Sequence, residues 1–517
     1  MKGLFARKII DWILPVSFSV IILVIGILNF KLFYHQVKDG KVDSEAIERT
    51  YKSEFHMKDS FADLYGLSLN ILNKKIVGNF EYVKDNSGFM HSIASASCSD
   101  EAAEQFLEDM IILRDELEQR EIPMVYVQIP SRELEGYSDY PSEVFGQTAR
   151  VIERLIKKLD DSGIEILNIG EHCLNDEDSM NVGQFFFKTD IHLTTDAEMW
   201  VGKYVADYLN DNTACEINED IFDVNQYKKE SHRFRGNLVK ESGCFFSKDD
   251  VFDVYYPNYE TSMVLDNWLQ GIKKEGEFAD VLMNGGFRTY WVLNYLQWGS
   301  PYYKIINNNQ DRNNILMIMD SMCMRMVSYL SIDCHKVTVL DPRYFNGINL
   351  INLALENEVY DAVVVCHTST LFGQSLFPEQ VELDKLYEMD SVEGVDMCSI
   401  DYCNGIWTEN KKTINVDTAQ SYIELSGWAA DLQEGLTAGN VYIAIGSHVI
   451  KCEYGIESQS LREFFCNENF SKCGFRVKIP TELFVKEKNE NLQFWVISAD
   501  GKVVYKSLDY MVNVENG

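Results

Sequence analysis

The sequence predicts an α/β protein with a parallel sheet, preceded by an apolar N-terminal segment and followed by a β-rich C-terminal region. Amphipathic helices alternate with short β-branched strands over about 101–385. Uninterrupted apolar strands such as NILMIM and AVVVC are typical of parallel sheets that are covered on both faces. Beyond residue 405 the pattern changes to short strands separated by turns, which indicates a β-sandwich.

Length and composition limit the class of protein. With 517 residues, the chain is too long for one ordinary core, so two or three domains are expected. Hydrophobic residues make up 46% of the chain, which is enough to bury such cores. The formal net charge is -33, and a field of this sign repels phosphate backbones. We therefore expect no nucleic-acid partner.

The 12 cysteines form no CxxC pair, and no His/Cys cluster has zinc spacing. We therefore expect neither a metal nor another cofactor. If the chain is exported, Cys398 with Cys403 and Cys466 with Cys473 are close enough in sequence to form disulfides. Free buried thiols are the alternative, and an anaerobic source favours them.

An apolar segment dominates residues 1–35. Trp12–Phe30 spans 19 residues without a charge, which as a helix is long enough to cross a hydrocarbon core of about 30 Å. The bulky, basic sequence KLFYHQVK that follows does not fit a signal-peptide cleavage site, so an uncleaved anchor is favoured. Lysines on both sides weaken the positive-inside signal. We expect a single-pass protein of the cell membrane with its main part on the extracytoplasmic side, and residues 36–100 as a stalk and domain entry.

The elements of the α/β region follow from their own patterns. EAAEQFLEDMIILRDELEQR has an apolar stripe at helical spacing, and ARVIERLIKKLDDSG is a second such helix, closed by Gly163. IPMVYVQIP and IEILNIG are predicted strands. The helix TTDAEMWVGKYVADYLND has Thr194 or Thr195 as its N-cap. After a less regular region, at about 212–310, the strands NILMIMD, HKVTVLD and YDAVVVCH alternate with two further helices.

Ser321 follows a buried strand directly. NILMIM runs into Asp320-Ser321 and then into a helix, which places Ser321 at the carboxyl end of a parallel strand, where open α/β sheets have their sites. The start of a helix also offers backbone N–H groups to a developing oxyanion. Taken alone, a serine at this position equally fits a helix N-cap.

The segment KTDIHLTT carries Asp190 and His192, two positions apart and just before a helix. A serine hydroxyl needs a base to become a nucleophile, and that base needs a carboxylate to fix its tautomer. In an extended segment the two side chains can face the same side. Alone, this pair is also typical of a polar loop or a fragment of a metal site. Together with Ser321, it predicts a Ser-His-Asp triad.

The two segments together resemble a known group of proteins. KTDIHLT resembles the TD-x-H-W-T motif of the alginate O-acetyltransferase group of SGNH-hydrolase-like proteins and the related DHHW family, and ILMIMDSM resembles their strand that ends in Asp-Ser. LDPRYFNG and FRGNLVKESG are similar to further segments of these proteins, so the likeness covers about 60–375. Leu193 stands where the family often has Trp, and Ile191 stands where the DHHW form has His. These departures bear on the substrate class.

This resemblance implies an SGNH-like three-layer α/β domain at 101–385 that moves acetyl groups on an extracellular glycan through a serine acyl-enzyme. It also implies a multi-spanning membrane acyltransferase as the partner that supplies the acyl group. The implied residues are the nucleophile Ser321, the base His192, the orienting acid Asp190 and the oxyanion donors Gly236 and Asn237.

Two further residues are candidates for substrate binding. Arg325 lies one helical turn after Ser321 and faces the same side, where it can bind an anionic sugar; a surface or structural arginine is the alternative. The predicted β-sandwich at 405–517 contains LSGWAAD, VYIAIG and CGFRVKIP, which are similar to modules attached to bacterial surface-polysaccharide enzymes. Trp428 in this module can stack on a sugar or belong to the core.

We therefore predict a membrane-anchored, extracytoplasmic O-acyltransferase that modifies a cell-surface or secreted polysaccharide. Two alternatives stay open. A carbohydrate acetylesterase uses the same triad, with water in place of the sugar hydroxyl as the acceptor. A non-catalytic SGNH scaffold binds polysaccharide or a membrane partner instead.

Overall fold

The structure is a computed structural model. It covers residues 57–515 except 78–80, 93–97, 133, 135–147, 177–178, 241, 268–271, 284–299, 346–348, 378–385, 387–388, 409–411, 418–419, 421, 447, 458–461, 463, 466 and 487–490, and before them residues 19–20, 23–27 and 29.

The predicted anchor, Trp12–Phe30, lies largely outside the described residues. Within the part of the chain that is described, no helix combines the length and the apolar character needed to cross a bilayer. Cys398 and Cys403, which the sequence could pair, are both free thiols. Cys466 is outside the described residues, so its predicted pairing with Cys473 is outside them too.

Two compact units make up the chain. The first consists of Met1–Ile93, Lys188–Asp190 and Arg235–Asp250. Its described part has a small apolar cluster, formed by Leu69, Val77, Met90, Leu238, Val239 and Phe246. Its helix and antiparallel sheet are α1 (Lys58–Ile71), β1 (Ile76–Val77), β2 (Tyr82–Lys84) and β3 (Met90–Ser92).

The second unit contains an eight-stranded sheet in the order β5-β4-β13-β11-β12-β10-β8-β9. A separate two-stranded ribbon pairs β6 with β7. The strands are β4 (Met124–Gln128), β5 (Ile166–Asn168), β6 (Tyr227–Phe234), β7 (Asp250–Pro257), β8 (Met263–Asn267), β9 (Ile272–Gly276), β10 (Tyr302–Asn307), β11 (Asn314–Met319), β12 (Lys336–Leu340) and β13 (Ala362–His367).

The first five strands of this order are mutually parallel, as the sequence predicts. All six residues of β13 and five of the six in β11 are buried, so both faces of the sheet centre are covered. Five helices follow the predicted alternation: α2 (Asp100–Gln119), α3 (Thr148–Asp161), α6 (Thr195–Asn212), α8 (Met324–Leu330) and α9 (Leu350–Asn357). Three short helices were not predicted: α4 (Ile169–Asn175), α5 (Val182–Phe185) and α7 (Phe278–Leu282).

The sheet is mixed rather than purely parallel, which corrects the prediction. β10, β8 and β9 continue it beyond β12 as antiparallel strands. These strands lie in the region that the sequence pattern left irregular. Tyr302–Asn307 alternates only in part between buried and half-buried residues, and Ile272–Gly276 carries two lysines and a glutamate as an edge strand does.

The C-terminal region forms two predominantly antiparallel sheets, of seven and six strands. A tight turn at Asp500–Gly501 joins two neighbouring antiparallel strands of one sheet, as predicted, and Gly501 has a φ of 73°. The elements are β14 (Asp390–Glu393), β15 (Cys398–Cys403), β16 (Ile406–Trp407), β17 (Thr413–Asp417), β18 (Tyr422–Asp431), β19 (Leu436–Thr437), β20 (Val441–Ile445), β21 (His448–Lys451), β22 (Glu453–Ile456), β23 (Gly474–Pro480), α10 (Thr481–Lys486), β24 (Asn491–Ile497), β25 (Val503–Lys506) and β26 (Tyr510–Glu515).

Candidate active site

Ser321 lies at the carboxyl end of the central strand β11. A single turn of 3-10 helix, Ser321–Cys323, connects this strand to α8. Asp320 fixes the turn, because its Oδ1 accepts the backbone N–H of Met322 at 2.8 Å and its Oδ2 accepts the hydroxyl of Thr370. The strand end and its aspartate cap therefore determine where the Ser321 hydroxyl lies.

His192 lies on a short loop just before α6. The backbone N–H of Phe187 donates to the His192 carbonyl at 3.2 Å, and the N–H of Thr194 donates to the Phe185 carbonyl at 2.9 Å. Thr194 is also the N-cap of α6, since its Oγ1 accepts the N–H of Ala197 at 3.1 Å. These bonds fix the backbone on both sides of the imidazole.

The structure brings these two side chains together. His192 Nε2 lies 3.0 Å from Ser321 Oγ, across 129 positions of sequence. Ser321 is 8% exposed and His192 is 5% exposed, so little water competes for the contact. The distance is within the range for a nucleophile and its general base.

Asp190 is buried within the first unit. The backbone N–H of Asn237 donates to its Oδ2 at 2.9 Å. The neighbouring Thr189 is held by Asp250, whose Oδ2 accepts the Thr189 backbone N–H at 2.8 Å and the Thr189 hydroxyl at 2.5 Å. The carboxylate of Asp190 thus lies on a well-bonded segment, and its predicted role as the orienting acid stays a prediction.

The backbone N–H groups of Gly236 and Asn237 already have partners. Gly236 N–H donates to Thr189 Oγ1 at 2.8 Å, and Asn237 N–H donates to Asp190 Oδ2. Both backbone N–H groups are therefore engaged within this segment, and the predicted role of Gly236 and Asn237 as oxyanion donors stays a prediction. Glycine is needed at position 236 because a Cβ there would lie 2.2 Å from the Thr189 carbonyl oxygen.

Arg325 is buried rather than open to a substrate. Its side chain is 3% exposed, and its guanidinium forms an ion pair with Glu198, whose side chain is 1% exposed. These contacts fit the structural role that the sequence left open as the alternative, and binding of an anionic sugar by Arg325 stays a prediction. Glu198 was not singled out from the sequence. It lies in line with the buried residues Gly202, Val205 and Leu209 of α6, and a glutamate on an apolar stripe is the signal that can find it.

Trp428 is half-buried in the C-terminal region. Its ring packs edge-to-face on Phe465, with the ring centroids 5.7 Å apart, and it borders a small cluster of Ala430, Phe470 and Cys473. Trp428 is thus a partly buried residue at the edge of this cluster. Sugar stacking at Trp428 stays a prediction.

His367 ends β13, next to the strand that leads to Ser321. Burial lowers the pKa of His367 from its usual 6.5 to about 4. Between these values the unfolded chain binds a proton that the folded chain does not. We therefore expect the free energy of unfolding to fall by about 3 kcal/mol as the pH falls from 6.5 to 4, with no contribution from this group above that window.

Denaturant unfolding at several pH values measures this effect, with His367→Leu as the comparison. The variant is expected to lack this part of the pH slope, whatever its absolute stability. Equal slopes for the two proteins would show that His367 does not stay neutral in the folded chain.

No protein-family model matches this sequence, and no curated protein matches it. Several solved structures do. The structure of Bacillus cereus PatB1 with a sulfonyl adduct has 16% identity, with 57% of this chain and 96% of that chain covered and a TM-score of 0.47. A DHHW family protein from Eubacterium siraeum has 12% identity, with 58% and 94% covered and a TM-score of 0.42.

The O-acetyltransferase domain of Pseudomonas putida AlgJ has 11% identity, with 56% of this chain and 91% of that chain covered and a TM-score of 0.35. All three TM-scores are below 0.5, so we base the functional proposal on the residues of the site. The chain is thus similar to a DHHW family protein and to an O-acetyltransferase domain.

Proposed function

We propose that this chain is an SGNH-type O-acyltransferase that uses Ser321 as its nucleophile and His192 as its general base. The observation that carries the proposal is the 3.0 Å distance between His192 Nε2 and Ser321 Oγ, at the carboxyl end of the central strand. A hydroxyl and an imidazole at this separation, both nearly buried, form the pair that acyl transfer requires.

In the first half-reaction, the Ser321 hydroxyl donates its hydrogen bond to the unprotonated Nε2 of His192. His192 removes this proton as Oγ attacks the carbonyl carbon of an acyl ester or thioester. The carbonyl oxygen becomes an oxyanion, for which the backbone N–H of Ser321 is the proposed donor. The tetrahedral intermediate collapses, the leaving group takes the proton from His192, and acyl-Ser321 remains.

In the second half-reaction, a sugar hydroxyl takes the place of the leaving group. His192 removes its proton, the sugar oxygen attacks the acyl carbon, and Ser321 regains its proton when the sugar ester departs. Asp190, two positions before His192, is the proposed carboxylate that keeps the imidazole in the required tautomer. The acceptor decides the product, because attack by water gives a free acid and makes the enzyme an esterase.

The proposed substrate is a polysaccharide outside the cytoplasm. The resemblance of the two motifs supports this choice, and the uncharged run Trp12–Phe30 supports an anchor that holds the chain at the cell membrane. A multi-spanning acyltransferase is the proposed source of the acyl group. The C-terminal sheets are the proposed site of glycan binding or a structural module.

Acetyl transfer to a sugar tests the proposal. Purified full-length chain is incubated with p-nitrophenyl acetate and a panel of neutral, anionic and amino-sugar oligosaccharides. We expect Ser321-dependent release of p-nitrophenol, and an oligosaccharide that gains an acetyl ester by mass spectrometry. Acetate as the sole product would favour the esterase. A wild-type protein that releases no more p-nitrophenol than Ser321→Ala would favour the non-catalytic scaffold.

A further inference from the structure

Glu198 caps the helix that follows the candidate nucleophile. Its carboxylate Oε2 accepts the backbone N–H of Arg325 at 2.6 Å and that of Met326 at 2.9 Å. These two N–H groups belong to the first turn of α8 and have no carbonyl partner within that helix. A side chain from α6, 127 positions earlier in the sequence, therefore holds the start of α8.

The Arg325 guanidinium extends this connection to the loop of His192. It pairs with Glu198 Oε1, and its Nη2 donates to the carbonyl oxygen of Leu193 at 2.6 Å. Its carbon Cζ lies 5.8 Å from the ring centre of Phe187 and 5.4 Å from that of Phe252. Leu193 is the residue next to His192, so the Arg325 side chain joins the loop of His192 to the helix that follows Ser321.

A buried ion pair of this kind is poorly explained by stability alone. Removing two charges from water costs about as much as their attraction returns, and apolar side chains of similar size often do as well. Burial raises the pKa of Glu198, and the charge of Arg325 opposes this rise. Each residue therefore needs the other to stay charged. The hydrogen bonds of the pair fix the position of the first turn of α8 relative to Leu193.

We propose that Glu198 and Arg325 are positioning residues that set the distance between Ser321 Oγ and His192 Nε2 by tying the loop of His192 to the helix after Ser321. This inference rests on the proposed function. Neither residue is proposed to touch the substrate. Their contacts run to Leu193 and to the first turn of α8, each a few positions from a reacting side chain.

Loss of the pair is therefore expected to slow chemistry more than it weakens binding. In Arg325→Met, the Leu193 carbonyl loses its donor and Glu198 loses its counter-charge. We expect the rate constant for phosphonylation of Ser321 by a fluorophosphonate, kinact, in which Oγ displaces fluoride from phosphorus, to fall about 10- to 100-fold, which is the effect of a misplacement of about 1 Å. The reversible constant KI is expected to stay within about twofold.

The experiment measures kinact and KI for the full-length chain and four variants: Arg325→Met, Arg325→Lys, Glu198→Gln and the double variant Glu198→Gln/Arg325→Met. Lysine keeps the charge without the planar fork of donors, so Arg325→Lys is expected to recover part of kinact. Because the two residues act as one unit, the double variant is expected to be no slower than the slower single variant.

Lys304→Met is the matched control. It removes another ion pair of limited exposure, between Lys304 and Glu358 at 2.6 Å, and leaves Lys336 paired with Glu358. Lys304 lies on β10 opposite Thr338. Thr338 in turn lies opposite Leu316, five positions before Ser321, or roughly 16 Å along the strand. This variant is expected to lose stability and to keep the wild-type kinact.

The outcomes separate the inference from the proposed function. Wild-type kinact in folded Arg325→Met would overturn the positioning role and leave the proposed function intact. A loss of kinact equal to that of Lys304→Met would also overturn it, because the effect would then reflect stability alone. If Arg325→Met does not fold, Arg325→Lys and Glu198→Gln carry the same test. Absence of Ser321-dependent labelling in the wild type would contradict the proposed function, and the positioning role with it.

Discussion

Replacement of Ser321 by alanine is expected to abolish covalent labelling of the protein by a fluorophosphonate, a loss of at least about 1,000-fold in rate. The reagent forms its bond with a serine oxygen that a neighbouring base has activated. Ser321 Oγ has such a base at 3.0 Å, in His192 Nε2. Without the oxygen, no step of the proposed acyl transfer can start. Time-resolved labelling of intact protein, followed by mass spectrometry, gives the rate.

Ser328→Ala is the control for this experiment. Ser328 is a fully buried serine on α8, and its hydroxyl donates to the carbonyl of Met324 at 3.0 Å rather than to an imidazole. Labelling of this variant is expected at the wild-type rate. Labelling of Ser321→Ala at the wild-type rate would mean that the reagent reacts elsewhere and that Ser321 is not the nucleophile.

Replacement of His192 by alanine is expected to slow labelling about 100- to 10,000-fold, which is the usual contribution of a general base. The hydroxyl of Ser321 remains, but nothing accepts its proton. Removal of the ring also leaves a cavity beside Oγ. Added imidazole is therefore expected to restore part of the rate, and the restored rate should rise with the concentration of neutral imidazole.

His172→Ala provides the comparison for the imidazole test. His172 Nδ1 lies 2.8 Å from Asp176 Oδ2, so this variant removes a histidine whose ring is bonded to a carboxylate and not to Ser321. Its labelling is expected to match the wild type, with no response to imidazole. A His192→Ala protein that labels normally, or one that is slow and does not respond to imidazole, would speak against His192 as the base.

The central sheet could be predicted from the sequence because each parallel strand carries its own signal. β11 and β13 are uninterrupted apolar runs, and in the structure they lie side by side at the centre of the sheet. Ser321 could be placed at a strand end for the same reason. β8, β9 and β10 were missed, since their pairing joins segments with polar and charged residues, such as Ile272–Gly276, whose local pattern resembles a loop.

The contacts around the site were harder to predict, because they depend on residues far apart in the chain. Arg325 lies one helical turn after Ser321, as a substrate-binding residue could, yet its guanidinium forms an ion pair with Glu198. The backbone N–H groups of Gly236 and Asn237 likewise donate hydrogen bonds to side chains 47 positions earlier in the sequence. The local sequence gives no sign of such distant partners. A motif can therefore identify a candidate residue, but it does not predict which groups that residue contacts.

The most direct test of the central claim is the detection of the acyl-enzyme itself. The full-length protein is mixed with p-nitrophenyl acetate, quenched in acid within the first turnover, digested and mapped by mass spectrometry. We predict one acetyl group on the peptide that contains Ser321, at the oxygen of this residue, and its loss on longer incubation with an acceptor. An acetyl group found only at other residues, or none at any time, would contradict acyl transfer through Ser321.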